Sequence, residues 1–101
     1  MKKKLEPISP GEILYEEFMR PFSISQNQLA RDLGVNPARI HEIVRAKRGI
    51  SAETALRLAA YFQTTGEFWM SLQARYDLKL AERAHGAIIK KSVRPSASIA
   101  A

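Results

Sequence analysis

Ala38, Arg39, His41 and Glu42, with Arg45, Lys47 and Arg48 just beyond them, carry the most distinctive chemistry in this 101-residue chain. It is the chemistry of recognition. An arginine can donate two hydrogen bonds to a guanine edge, a glutamate can accept from cytosine, an alanine methyl can meet a thymine methyl, and clustered cations can hold phosphate oxygens. Catalysis is not indicated. The two histidines, His41 and His85, lie far apart in sequence, and no acid, base, nucleophile or metal-ligand spacing accompanies either. The chain has no cysteine, which rules out disulfides, thiolate zinc sites and a cysteine nucleophile. The sequence therefore calls for no enzyme activity, no metal and no cofactor.

Side chains read base edges only if an element carries them into a groove. Here Asn36 and Pro37 supply an N-cap and a first helical residue. From there a 3.6-residue period places Ile40, Ile43 and Val44 on one face, Ala38, Glu42 and Arg45 on the other, and Arg39 and His41 on the flanks. Upstream, Ser25 and Gln28 have capping-box spacing, Leu29, Ala30 and Leu33 form an inward stripe, and Gly34 permits the positive φ of a tight turn. Two helices joined so closely must cross steeply, and the small Ala30 lets them approach. The pattern is a helix-turn-helix whose second helix enters the major groove by its N-terminal part.

That geometry sorts the polar residues. Ala38, Arg39, His41 and Glu42 fall on the reading face, Gln26 and Asn36 at the edge where the two helices start, and Arg45, Lys47 and Arg48 where a basic loop can clamp phosphates. Glu42 admits two readings, a base contact or a plainly solvated position, because a carboxylate near phosphate is repelled. Any one charge on an exposed helical face is ordinarily just solvated. The joint spacing of cap, Ala30, Gly34, Pro37 and basic exit loop is what sets this segment apart from an arbitrary pair of packed helices.

Charge follows the same division. The formal net charge is +6 and the pI is about 10.0, which favours polyanionic partners. Four cations and one acid lie between Asn36 and Gly49, whereas Glu6, Glu12, Glu16 and Glu17 are answered only by Arg20. A basic and an acidic surface on different sides are expected, the acidic one suited to a basic protein partner. No apolar run is long enough to span a bilayer or to follow Lys2, Lys3 and Lys4 as a signal peptide, so the cytoplasm is the expected location.

The remaining elements read as helices that support the motif. Ser9, Pro10 and Glu12 cap a helix carrying Ile13, Leu14 and Phe18 as far as Pro21. Ser51 caps another, with Ala55, Leu58, Ala59 and Phe62 at i, i+3, i+4 and i+7. Thr64 and Glu67 open a longer one bearing Phe68, Trp69, Leu72, Tyr76 and Leu80, a stripe suited to core or dimer interface rather than to a ligand pocket. The expected organisation is an N-terminal arm over 1–8, a DNA-binding domain over 9–84 and a tail over 85–101, flexible or a short strand.

Three segments, SPGEIL at Ser9 to Leu14, SQNQLARDLGV at Ser25 to Val35 and KRGISAETALRLAAYFQTTGEFWMSLQARYDL at Lys47 to Leu78, resemble the HigA/VapI class of antitoxins in the XRE, or phage-repressor-like, group. The resemblance runs from about Ile8 to Leu80. It departs from the class at Ala46 and Gln63, where glycine is common. It implies an all-α, five-helix lambda-repressor-like fold with a short C-terminal arm. It also implies a homodimer on a palindromic operator in its own promoter, and neutralisation of a RelE-like, HigB-type ribonuclease toxin, for which Glu12, Glu16 and Glu17 are the candidate surface. A solitary XRE repressor, or an interaction module that does not bind DNA, are the alternatives.

Overall fold

The computed structural model describes residues 6–99; Lys2, Lys3 and Lys4, and with them most of the arm expected over 1–8, lie outside that range, as do residues 100 and 101. Five α-helices occur among the described residues, with a π-helical and a 3-10 segment following the first, and no strand. They are α1 (Pro10–Ile13), α2 (Gln26–Leu33), α3 (Pro37–Val44), α4 (Ala52–Phe62) and α5 (Gly66–Ser92). Four begin where the sequence places their caps. Ser9 Oγ accepts from the Glu12 amide at 3.1 Å, Ser25 Oγ from Gln28 at 3.0 Å, Asn36 Oδ1 from Ala38 at 2.8 Å and Ser51 Oγ from Thr54 at 3.3 Å.

The fifth cap is one residue later than expected. Thr65, not Thr64, accepts from the Phe68 amide, because the Thr64 hydroxyl is taken by the Trp69 indole N–H at 2.8 Å. That bond satisfies the polar edge of a fully buried ring. Removing so large a buried aromatic typically costs about 3–5 kcal/mol.

The first helix does not simply stop at Pro21. α1 passes into a π-helical stretch at Leu14–Met19, where the Arg20 amide reaches back to the Tyr15 carbonyl, and then into a 3-10 turn at Arg20–Phe22. Pro21 sits at the start of that turn, where its missing N–H leaves no bond unmade. Consecutive residues Phe18 and Met19 both pack inward from the π stretch. Met19 is fully buried, while the Phe18 ring lies 4.9 Å from Trp69 and 5.1 Å from Phe62. Leu14, Leu29, Leu33, Ile40, Ile43, Ile50 and Leu58 complete one core, to which the π stretch and α2 to α5 contribute.

Residues 85–92, expected to open a flexible or strand-like tail, form instead the last two turns of α5. Gly86 weakens a helix by only about 1 kcal/mol relative to alanine, and no proline interrupts before Pro95. Lys90 and Lys91 suit the negative end of the helix dipole, and Val93 leaves in extended geometry. At 27 residues the helix is about 40 Å long. It projects past the core, raising the radius of gyration to 17.3 Å where a compact domain of this size has about 13 Å. The projecting part carries exposed Ile88, Ile89 and Val93.

Candidate nucleic-acid interface

The orientation of α3 follows from three close approaches. Ala30 lies fully buried on α2, which packs against α3. Gly34 ends α2 at φ 75, and its amide and that of Val35 return to the Arg31 and Ala30 carbonyls. Gly11 is the third, and sequence reasoning missed it. A Cβ there would fall 1.7 Å from the Ile43 carbonyl oxygen, so only glycine lets α1 lie against the C-terminal end of α3. Nothing in the sequence marks it, since it sits in a first helical turn where glycine is usually incidental.

With Ile40 and Ile43 buried beneath it, α3 exposes Ala38, His41 and Arg45 and leaves Arg39 and Glu42 half-buried. These exposures follow the periodicity of α3, and the polar side chains away from its buried stripe are held by neighbours. Arg39 leans toward the first turn of α4, its Nη1 donating to Thr54 Oγ1 at 3.4 Å, a long and weak bond that a base edge can replace at little cost. His41 Nδ1 lies 3.1 Å from Gln26 Oε1, tying the reading helix to the first residue of α2. Glu42 Oε1 accepts from Arg48 Nε at 2.7 Å. Asn36 spends its carbonyl oxygen on the α3 cap.

In the unbound protein Glu42 is paired with Arg48 and so bridges α3 to the basic loop. The loop itself is fixed at both ends. Ala46 takes a left-handed φ of 62 where α3 ends, and the Ala46 and Lys47 amides close onto the Ile43 and Glu42 carbonyls. At the far end the Ile50 amide donates to Gln73 Oε1 at 2.7 Å, and Gln73 Nε2 donates to Asp77 at 3.0 Å. Gln73 therefore anchors the loop to α5. No sequence signal points to it, because a glutamine on a long polar helix face is indistinguishable from solvated neighbours. Arg45, Lys47 and Arg48 are all exposed around this loop.

Two more ties fix α4 behind the motif. Arg57 Nη1 donates to the Leu33 carbonyl at 2.7 Å, satisfying the end of α2, and its other nitrogens meet Glu53. The Tyr61 hydroxyl donates to Asp32 at 2.9 Å; partial desolvation, that bond and the carboxylate's charge all raise the phenol pKa above its ordinary value. On the first helix, Glu12, Glu16 and Glu17 are exposed, and Glu16 pairs with Arg20 at 2.8 Å. No helix among the described residues is long and apolar enough to cross a membrane, and no group of acidic and histidine side chains there could hold a metal ion.

The helix-turn-helix family matches residues 16–69. Virulence-associated protein I of Dichelobacter nodosus is 50% identical over 82 residues, covering 81% of this chain and 76% of the relative. The fold superposes on the Pseudomonas aeruginosa antitoxin HigA with higBA promoter, with a TM-score of 0.86 and 48% identity over 89% of this chain and 98% of the other. It matches antitoxin GraA in complex with its operator equally well, with a TM-score of 0.86 and 45% identity over 95% and 97% of the two chains.

Proposed function

The chain belongs to the helix-turn-helix family, in its HigA antitoxin branch, and from that membership we propose that it is an autorepressing antitoxin. It binds a palindromic operator in its own promoter as a homodimer and neutralises a RelE-like, HigB-type ribonuclease. One observation carries the DNA half. α3 presents Ala38, Arg39, His41 and Glu42 beside the cationic Arg45, Lys47 and Arg48 on a fold shared, at 45–48% identity, with relatives solved on promoter or operator DNA.

In this reading Gln26 and Asn36 flank the reading face at the phosphate backbone, Arg39, His41 and Glu42 with Ala38 address base edges, and Arg45, Lys47 and Arg48 hold phosphates. A single recognition helix spans few base pairs, so half-sites about 34 Å apart require a second copy. The exposed Ile88 and Ile89 on the projecting end of α5, with Val93 just beyond it, suit burial against that copy. The acidic residues Glu12, Glu16 and Glu17 suit a basic toxin, since complementary charge speeds association and excludes wrong partners. A DNA-bound regulator works in the cytoplasm, where the chromosome is.

Footprinting on the DNA upstream of its own gene tests the first half. A protected palindrome, bound with steep salt dependence, is expected, and absence of any salt-sensitive duplex binding would leave only an interaction module. Co-expression with the neighbouring gene product tests the second. A copurifying small ribonuclease is expected, whereas operator binding without such a partner would make the chain a solitary repressor. Charge reversal of the three glutamates to lysine slows toxin capture at low salt if that surface is the right one.

A further inference from the structure

We propose that Gln26 is a positioning residue that fixes the imidazole tautomer of His41 and thereby converts a phosphate contact into a base preference, selecting adenine or cytosine on the strand edge that His41 faces. The inference rests on the DNA-binding reading above and adds to it which atom of His41 reads the groove and what it selects.

The argument starts from the hydrogen bond between α2 and α3. Gln26 Oε1 lies 3.1 Å from His41 Nδ1. A carbonyl oxygen only accepts, so Nδ1 must carry the hydrogen, and a neutral ring then has an unprotonated Nε2. The amide of Gln26 has two ends, and phosphate oxygens only accept. At the first position of α2, facing the DNA backbone, Gln26 can serve a phosphate only through its –NH2 group. Its oxygen is thereby turned toward the imidazole. Phosphate, glutamine and histidine form one directional relay, and its last atom is a bare nitrogen acceptor on the exposed face of α3.

A bare acceptor discriminates between base edges. In the major groove adenine N6 and cytosine N4 offer hydrogens, whereas guanine N7 and O6 and thymine O4 only accept. His41 Nε2 therefore bonds adenine or cytosine and meets an acceptor's lone pair on guanine or thymine. Every base pair has one donor edge and one acceptor edge, so the relay reads the orientation of the pair. Without Gln26 the ring loses its tie and reverts to the Nε2-protonated form that exposed imidazoles favour, which inverts or levels the choice.

The test uses the full chain with nitrogen-15 in its histidines. Nitrogen spectra of the free protein, recorded where His41 is neutral, are expected to show Nδ1 protonated and Nε2 bare. Gln26→Leu should move the signal to the Nε2-protonated pattern. Gln26→Glu, whose carboxylate also only accepts, should keep the wild-type pattern while weakening every duplex through repulsion of phosphate. Binding is then measured on operators with all four base pairs at the position that loses discrimination in His41→Ala. Wild type should favour adenine or cytosine about three- to tenfold, and Gln26→Leu should level or reverse that ratio. An Nε2-protonated ring in the free wild type overturns the proposal, and so does an unchanged base ratio in Gln26→Leu. If wild type binds no duplex, the base preference falls with the DNA reading, and an Nδ1-protonated ring then places the fault in that reading rather than in the hydrogen bond.

Discussion

Glu42 on α3 holds Arg48 of the basic loop through a 2.7 Å bond from the guanidinium Nε, so the two parts of the proposed DNA interface are joined in the unbound protein. Both side chains are close to half exposed, which limits the bond to about 1 kcal/mol. It still competes with phosphate for the same cation. Glu42→Gln should therefore raise affinity for random duplex by up to about fivefold and steepen the salt slope by up to about one contact. The specificity ratio should fall. A salt titration on random and operator duplexes checks this, and equal slopes for variant and wild type would show that releasing Arg48 from Glu42 adds no phosphate contact.

Arg39 and Lys47 should separate cleanly by the class of DNA they affect. Arg39 makes only a 3.4 Å bond to Thr54, so Arg39→Ala is expected to leave stability nearly unchanged. It should cost about 1–3 kcal/mol on the operator and little on random sequence. Lys47→Ala should weaken both alike and reduce the salt slope by about one unit. Equal losses for Arg39→Ala on both duplexes would move that residue into the phosphate-binding set.

Ala46 and Gln63 both occupy left-handed backbone, at φ 62 and 60, where a Cβ costs about 1–2 kcal/mol. These are the two positions at which glycine is common in the class. Ala46→Gly and Gln63→Gly should each stabilise the fold by about 1 kcal/mol, less at Gln63, whose side chain returns a 3.1 Å bond to the Ala60 carbonyl. For a domain of this size each kcal/mol is worth about 4–8 °C in Tm. The two sites share no partner, so their effects should add. A lower Tm for Ala46→Gly would mean that the loop gains more from reduced flexibility than it loses to strain.

What was legible in the sequence and what was not divides along physical lines. Caps and apolar periodicity are local, so the starts of α1 to α4, the inward stripe of α3 and the buried place of Trp69 could all be read from spacing. The π stretch at Leu14–Met19 could not, because it depends on how Phe18 meets the rings of Phe62 and Trp69 across the core. The same holds for Thr64, drawn off its capping role by an indole five residues on. On α3, Ala38 and His41 are exposed opposite the buried Ile40 and Ile43, as their spacing required. The bonds from Gln26 to His41 and from Glu42 to Arg48 join residues 15 and 6 positions apart and are set by tertiary geometry alone. The C-terminal end of α5 runs past His85, where the tail was expected to begin, because Gly86 weakens a helix without ending it and no proline intervenes before Pro95.

Gly11 and Gly86 provide the sharpest test of how helix placement depends on backbone approach, because the same substitution should have opposite signs at the two positions. At Gly86 a new Cβ has open space around it, its nearest neighbour being the Glu82 Cβ at 3.9 Å. Gly86→Ala should therefore improve local helix stability by about 1 kcal/mol, seen as slower amide exchange over residues 85–92 with little change in global unfolding, as that end of α5 stands clear of the core. At Gly11 the Cβ would overlap the Ile43 carbonyl, which is main chain and cannot rotate away. Gly11→Ala must push α1 off α3, at a cost of about 1–3 kcal/mol or more, and because α3 carries the reading face the operator should be lost before random-sequence binding. Denaturant unfolding with both duplex titrations separates these effects. A Gly11→Ala protein with wild-type stability and operator affinity would mean that α1 does not set the position of the recognition helix.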